Sequence, residues 1–510
     1  MKRRQFIQSL LVGAASSGLG PAFAFTQTDD WRQLFDQALL SNPRLLGFKG
    51  ASQTEFVGES IALEGEIPKG LRGHLYRNGP AQHEIGDYRY RHWFDGSGMV
   101  QSFSIEEKGV GNQGKMIATQ KHQLEKNAGK PMFPTFGSVP PDVDSTTSAD
   151  QSNAANISML AHHGELFALW EGGSAHIIDP DNLETQGLKT WSKESKGLPF
   201  SAHPRVDPDG TLWNFGYASS AGLLVLWHID NQGKLKRNGV IPLQPMGMPH
   251  DFVVTQNHIV IMLPPFHFEP KEDGEHHSFL ELHQWHNDRP TRLLVVKKAD
   301  FDDYQYIDLP AQWAFHFGNA WEDRDGVIRF DGASSKDPSA MQTTFREVMR
   351  GEIVPSSDIA HHYIYEVDTR SGKARQTLLL SETTSTEFPV IDPRVSGKRY
   401  QQIFCLGNTH DIDAPAIWFN SVLAVNIESG AYDQYTYPEH HMPEEHLFIP
   451  AHGSSVESEG WVVGTSLDID QRRTCLNVFD AQNLSAGPLA RATLPYALPL
   501  GLHGKFVSQL

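Results

Sequence analysis

The chain is cut by Asp, Asn and Gly turns into short runs of alternating apolar and polar residues, and this punctuation leaves few folds open to it. GELFALWEGG (164–173), GTLWNFGYAS (210–219), NHIVIMLPP (257–265), DGVIRFDG (325–332), HYIYEVDTRSGKARQTLLL (362–380) and EGWVVGTSLDI (459–469) all read as strands with a turn at one or both ends. Many short strands of this kind predict an all-β sandwich, barrel or propeller. Length favours the last, because a propeller can hold all 510 residues in one closed unit. Helical spacing is confined to two places: 29–40, through Trp31, Leu34, Phe35 and Leu39, and 337–350, through Met341, Phe345, Val348 and Met349.

A hydrophobic content of 39% is enough for a large core, and a formal net charge of −18 with no basic run beyond the N-terminus excludes nucleic acid as a partner. Residues 1–24 read as a twin-arginine export signal: Arg3-Arg4 precede a mild apolar stretch and Ala22-Phe23-Ala24 forms a small-residue cleavage site. The mature unit is then 25–510, expected in the periplasm. Nothing downstream reaches a membrane-spanning length of apolar residues, which leaves peripheral contact as the only membrane association expected. Cys405 and Cys475 sit in strand-like runs and read as small buried hydrophobes, although an oxidising compartment allows one disulfide between them.

The chain carries 25 histidines, and four have a distinctive setting. His203 (SAHPRVDP), His250 (MPHDFVV), His316 (FHFGNAW) and His503 (GLHGKF) each stand at or near the expected start of an inward strand. Around His316, strict alternation puts Ala314 and Gly318 on its face and Phe315, Phe317 and Asn319 on the other. Three isolated acids, Glu171, Glu387 and Glu445, lie in apolar runs where an unpaired charge is costly. Taken together the seven residues are spaced by 32 to 71 positions, with a mean of about 55, close to one propeller blade with its loops. A single such histidine reads first as a hydrogen-bonded core or surface residue, and each acid reads equally as a solvated strand-end glutamate or as a partner to an imidazole. If they converge, the imidazoles can hold a divalent metal while the carboxylates fix their tautomers from behind. A closed tetrahedral site would hold structural zinc in a binding protein; iron(II) with open positions would serve oxygen chemistry.

Several phrases in order, GHLYRNGP (73–80), HWFDGSGMVQSFSI (92–105), LWEGG with LETQG (183–187), the four histidine contexts, STEFPVID (385–392) and the closing GLHGKF, make the sequence resemble the carotenoid cleavage oxygenase family. That family also contains lignostilbene dioxygenases and the retinoid isomerase of the eye. The resemblance implies a seven-bladed β-propeller with a helix and loop dome over one face. It implies iron(II) held by His203, His250, His316 and His503, with Glu171, Glu387 and Glu445 bonded to three of the rings. It further implies cleavage of a carbon–carbon double bond by O2 into two carbonyl products, on an elongated apolar substrate. In the lignostilbene branch a lysine precedes the first glutamate and a tyrosine lies upstream. Here Trp170 takes the first place and 116–160 lacks tyrosine, so a carotenoid or apocarotenoid is expected over a stilbenoid. The family's Asn-Thr-Asn phrase reads NAAN (153–156), with Ala155 in the threonine's place, and Phe133, Phe136, Phe266 and Phe268 are candidates for the tunnel wall.

Overall fold

The computed structural model describes residues 30–58, 61–354, 359–409 and 418–508; the expected export signal lies outside them. Among the described residues, five four-stranded and two five-stranded antiparallel sheets follow one another along the chain, and inner strands touch in order from Phe252–Val254 through Trp313–Glu322, Ser385–Val390, His441–Pro450 and Gly504–Val507 to Ser158–His162. These are seven blades, as the strand pattern and the resemblance imply.

Both ends of the described chain are used to close the ring. The C-terminal strand Gly504–Val507 becomes the inner strand of the first blade by pairing with His74–Arg77. The early strand Ala62–Gly65 is added to the outer edge of the last blade, against Ala490–Thr493. An antiparallel ladder on each side of the seam removes the open edges that a split ring would expose. Behind the seam, Arg77 is buried and donates from Nη1 to Glu444 Oε1 at 2.7 Å and from Nη2 to the Pro499 carbonyl at 2.9 Å.

Over one face lies a dome built from little regular structure. The helix Trp31–Ser41 forms where its spacing predicts, with Asp30 accepting the Gln33 N–H as its cap. A second helix, Gln120–Ala128, has a Thr119 cap and Gly129 in the left-handed conformation beyond its end. The expected helix over 337–350 is broken instead into three short turns, Ala340–Thr344, Phe345–Glu347 and Val348–Arg350, which stop at Gly351 with φ +92°. Cys405 and Cys475 are buried in different blades and are not bonded to each other.

Candidate metal centre

Loops that enter the inner strands bring three of the histidines to the axis, and an inner strand itself brings the fourth, His316, in place of the expected strand start. His203 precedes the inner strand Arg205–Val206, His250 precedes Phe252–Val254, His503 precedes Gly504–Val507, and His316 lies within Trp313–Glu322. Their Nε2 atoms converge: His203 to His250 is 3.1 Å, His250 to His316 3.3 Å and His316 to His503 3.0 Å.

Each of the three acids stands behind one ring. His316 Nδ1 is 2.5 Å from Glu387 Oε2, and His503 Nδ1 is 2.7 Å from Glu445 Oε1. His250 Nδ1 is 3.0 Å from Glu171 Oε1, but out of line for a hydrogen bond, so that both Glu171 oxygens are buried without one. Glu387 and Glu445 also accept backbone N–H groups, from Phe388 at 2.8 Å and from Gly504 at 2.7 Å. Glu387 and Glu445 lie on inner strands as their spacing predicts. Glu171 does not: it follows the second strand of its blade, Glu165–Leu169, and reaches the axis from a loop.

Strand irregularity aims these side chains. The ladder slips between Ala314 and Phe317, between Glu387 and Val390, and between Pro443 and His446. Each slip is a bulge that turns a side chain out of the regular alternation. The facial assignment expected around His316 is therefore overturned: Phe315 and His316 line the same cavity, because the bulge begins between Ala314 and Phe317. At the second bulge Phe388 adopts φ +56°, an uncommon conformation for a residue with a side chain, held by its N–H bond to Glu387.

The electrostatics suit a cation. Burial, reinforced by the neighbouring imidazoles, holds His203 and His316 well below the usual histidine range, so these rings are neutral. At His250 the effect of burial is outweighed by the Glu171 carboxylate, which raises its basicity. Burial pushes Glu387 up to about 7. Where an Nδ1–H is donated to a carboxylate, Nε2 is left as a bare lone pair, and these lone pairs face one another across about 3 Å. Such an arrangement is repulsive unless a cation sits between them. For metal–nitrogen bonds of about 2.1 Å, right-angled ligands stand about 3.0 Å apart and tetrahedral ones about 3.4 Å, so the observed spacings fit a metal.

Above the centre is a cavity of about 540 Å³, whose walls include His250, His316, His503 and the carboxylates Glu171 and Glu387. Its aromatic lining is continuous: Phe94 packs on Phe136 (5.6 Å between ring centroids), Phe345 (5.4 Å) and Phe315 (6.3 Å), and Phe136 stacks on Phe279 (5.3 Å). Phe136 and Phe268 line the cavity as expected, whereas Phe133 and Phe266 are fully buried elsewhere. Ala155 faces a separate core cluster at φ +45°, and Ala154, Asn156 and Ile157 reach the cavity from that segment. Trp170 lines the cavity, and so does Tyr217, which lies beyond the tyrosine-free stretch 116–160.

Residues 50–508 match the family model described as retinal pigment epithelial membrane protein. The chain is 32% identical over 464 residues to apocarotenoid-15,15'-oxygenase of Synechocystis, covering 87% of this chain and 92% of the relative. It is 24% identical to isoeugenol monooxygenase of Pseudomonas putida, covering 92% and 98% respectively. The solved structure of cobalt-substituted Synechocystis apocarotenoid oxygenase superimposes with a TM-score of 0.82 at 30% identity, covering 92% of this chain and 99% of that one. With seven blades, four convergent imidazoles and a match running almost from end to end, the chain belongs to the retinal pigment epithelial membrane protein family, that of the iron-dependent carotenoid cleavage oxygenases.

Proposed function

We propose that the protein is an iron(II) dioxygenase that cleaves one carbon–carbon double bond of a carotenoid or apocarotenoid. The double bond breaks and each of its carbons takes one atom of O2, giving two carbonyl products. The observation that carries this reading is the convergence of four imidazole Nε2 atoms on an aromatic cavity, backed by three carboxylates.

Iron, when bound, supplies the redox chemistry that ground-state dioxygen needs to react with a closed-shell double bond. His203, His250, His316 and His503 hold it through neutral nitrogen, and Glu171, Glu387 and Glu445 offset its charge from behind. The aromatic wall orients an elongated apolar chain over the centre and excludes water from it. Two charged groups of the cavity wall are engaged within the protein: Asp95 accepts from Gly137 N at 2.9 Å and from the Ser138 hydroxyl at 2.5 Å, and Lys121 Nζ is 2.8 Å from Glu125 Oε2. The cavity wall positions the substrate, and the bond cleaved is set by how far the chain can slide along the cavity. Trp170 in the wall supports a polyene over a phenol that would need a lysine there.

The arginine pair and cleavage site of residues 1–24 support export to the periplasm. No helix among the described residues is long and apolar enough to cross a membrane, and the exposed Leu34 and Leu40 of the first helix support peripheral contact with one.

Side-by-side assays with an apocarotenal, a resveratrol-like stilbene and isoeugenol under 18O2 test the proposal. The expected result is two carbonyl products from the apocarotenal, each carrying one labelled atom. Cleavage of the stilbene or isoeugenol alone would refute the substrate class, and an unlabelled, isomerised product would refute the reaction.

A further inference from the structure

Each of three imidazole-bearing segments is followed within two residues by groups that meet at one ion pair. Arg205 lies two residues after His203, Asp251 immediately follows His250, and Phe317 and Gly318 follow His316. The Arg205 guanidinium spends four hydrogen bonds there. Nε donates to the Phe252 carbonyl at 2.9 Å, Nη1 to the Gly318 carbonyl at 3.0 Å, and Nη2 to Asp251 Oδ2 at 2.6 Å and to the Phe317 carbonyl at 2.9 Å. Asp251 accepts in return, from the Phe252 N–H on Oδ1 at 2.7 Å and from the Phe317 N–H on Oδ2 at 2.9 Å. Its side chain is 2% exposed, so the charge is compensated by these partners and hardly by solvent.

These bonds tie the side chain of Arg205 on one blade to backbone on the next two blades, and none reaches an imidazole. The inner strands here are short, Arg205–Val206 and Phe252–Val254, and so give the preceding histidines little ladder to fix them. A planar guanidinium is suited to the task, because its donors leave in fixed directions that an ammonium cannot reproduce. We infer that the Arg205–Asp251 pair is a positioning device for the metal centre, setting the mutual spacing of His203, His250 and His316 through the backbone behind them. The inference rests on the reading of the four imidazoles as metal ligands.

Co2+ is the probe, in the full chain stripped of metal. Binding is measured by competition with a chelator, the ligand-field absorption of the bound ion reports its surroundings, and melting of the apoprotein reports folding. Arg205→Met and Asp251→Asn are expected to weaken Co2+ binding by about 10–100-fold, as loss of groups behind metal ligands commonly does, and to shift the absorption bands. Arg205→Lys, which keeps the charge without the fork, is expected to recover part of both. The double variant should bind no worse than the weaker single one, since the two side chains act as a unit. Wild-type affinity and spectrum in the single variants would overturn the inference, and so would weakening that tracks the loss of apoprotein melting temperature with no recovery by lysine. Failure of the wild type to bind Co2+ would instead overturn the metal reading itself, so the two failures are told apart.

Discussion

His316→Ala is expected to yield a folded propeller with no bound iron and turnover reduced by at least about 100-fold, since even groups behind a ligand typically cost 10–100-fold when lost. The reason lies in the central place of this ring. Its Nε2 stands next to those of both His250 and His503, at 3.3 and 3.0 Å, so its loss opens the ligand set in the middle. Its Nδ1 partner, Glu387, would then be a buried carboxylate with only its own Phe388 N–H to satisfy it. The fold should survive because the strand Trp313–Glu322 keeps its ladder with Val327–Ser335 and the ring adds nothing to that pairing. Far-UV circular dichroism together with metal analysis checks both halves of the expectation, and a variant retaining iron and full activity would remove His316 from the site.

Arg77→Met is expected to cost about 3–5 kcal/mol of stability, the usual cost of leaving one member of a buried ion pair alone. The side chains of Arg77 and Glu444 are 6% and 4% exposed, and Arg77 also bonds the Thr465 hydroxyl and the Pro499 carbonyl. Glu444 further accepts the Gly501 N–H at 2.5 Å, two residues before His503. The pair thus joins the first blade, the last blade and the segment leading to the closing strand. Urea denaturation should show the loss, and adding Glu444→Gln should recover a large part of it by removing the stranded charge. A single variant as stable as the wild type would show that the seam is held by its ladders alone.

The sequence made the blades legible because they obey simple periodicity: the runs at 164–173, 210–219, 257–265 and 325–332 contain the strands Glu165–Leu169, Leu212–Ala218, His258–Leu263 and the start of Val327–Ser335. Three of the histidines were legible too, since Pro, Asp or Gly beside His203, His250 and His503 marked strand entries; His316 lies between two phenylalanines inside its strand. What escaped was whatever depends on departure from periodicity. The bulge beside His316 is invisible in FHFGN, whose plain alternation sends Phe315 to the wrong face. The helix Gln120–Ala128 has no apolar stripe, because it buries Lys121 and Glu125 as an ion pair against Tyr90, whose hydroxyl donates to Glu125 Oε1 at 2.8 Å. A helix that packs by charge leaves no hydrophobic signal. Phe133 and Phe266 failed as tunnel residues because burial does not distinguish a core ring from a cavity wall. Glu171 was found by its isolation in LWEGG, but the loop that carries it to the axis was not.

Everything proposed about oxygen chemistry depends on one ion at the meeting point of the four rings. The most direct test is elemental analysis of protein purified without oxygen, combined with X-ray absorption at the edge of the metal found. One iron per chain, with imidazole nitrogens as its protein ligands, is the expected result. One zinc and no iron, or iron without imidazole scattering, would contradict it.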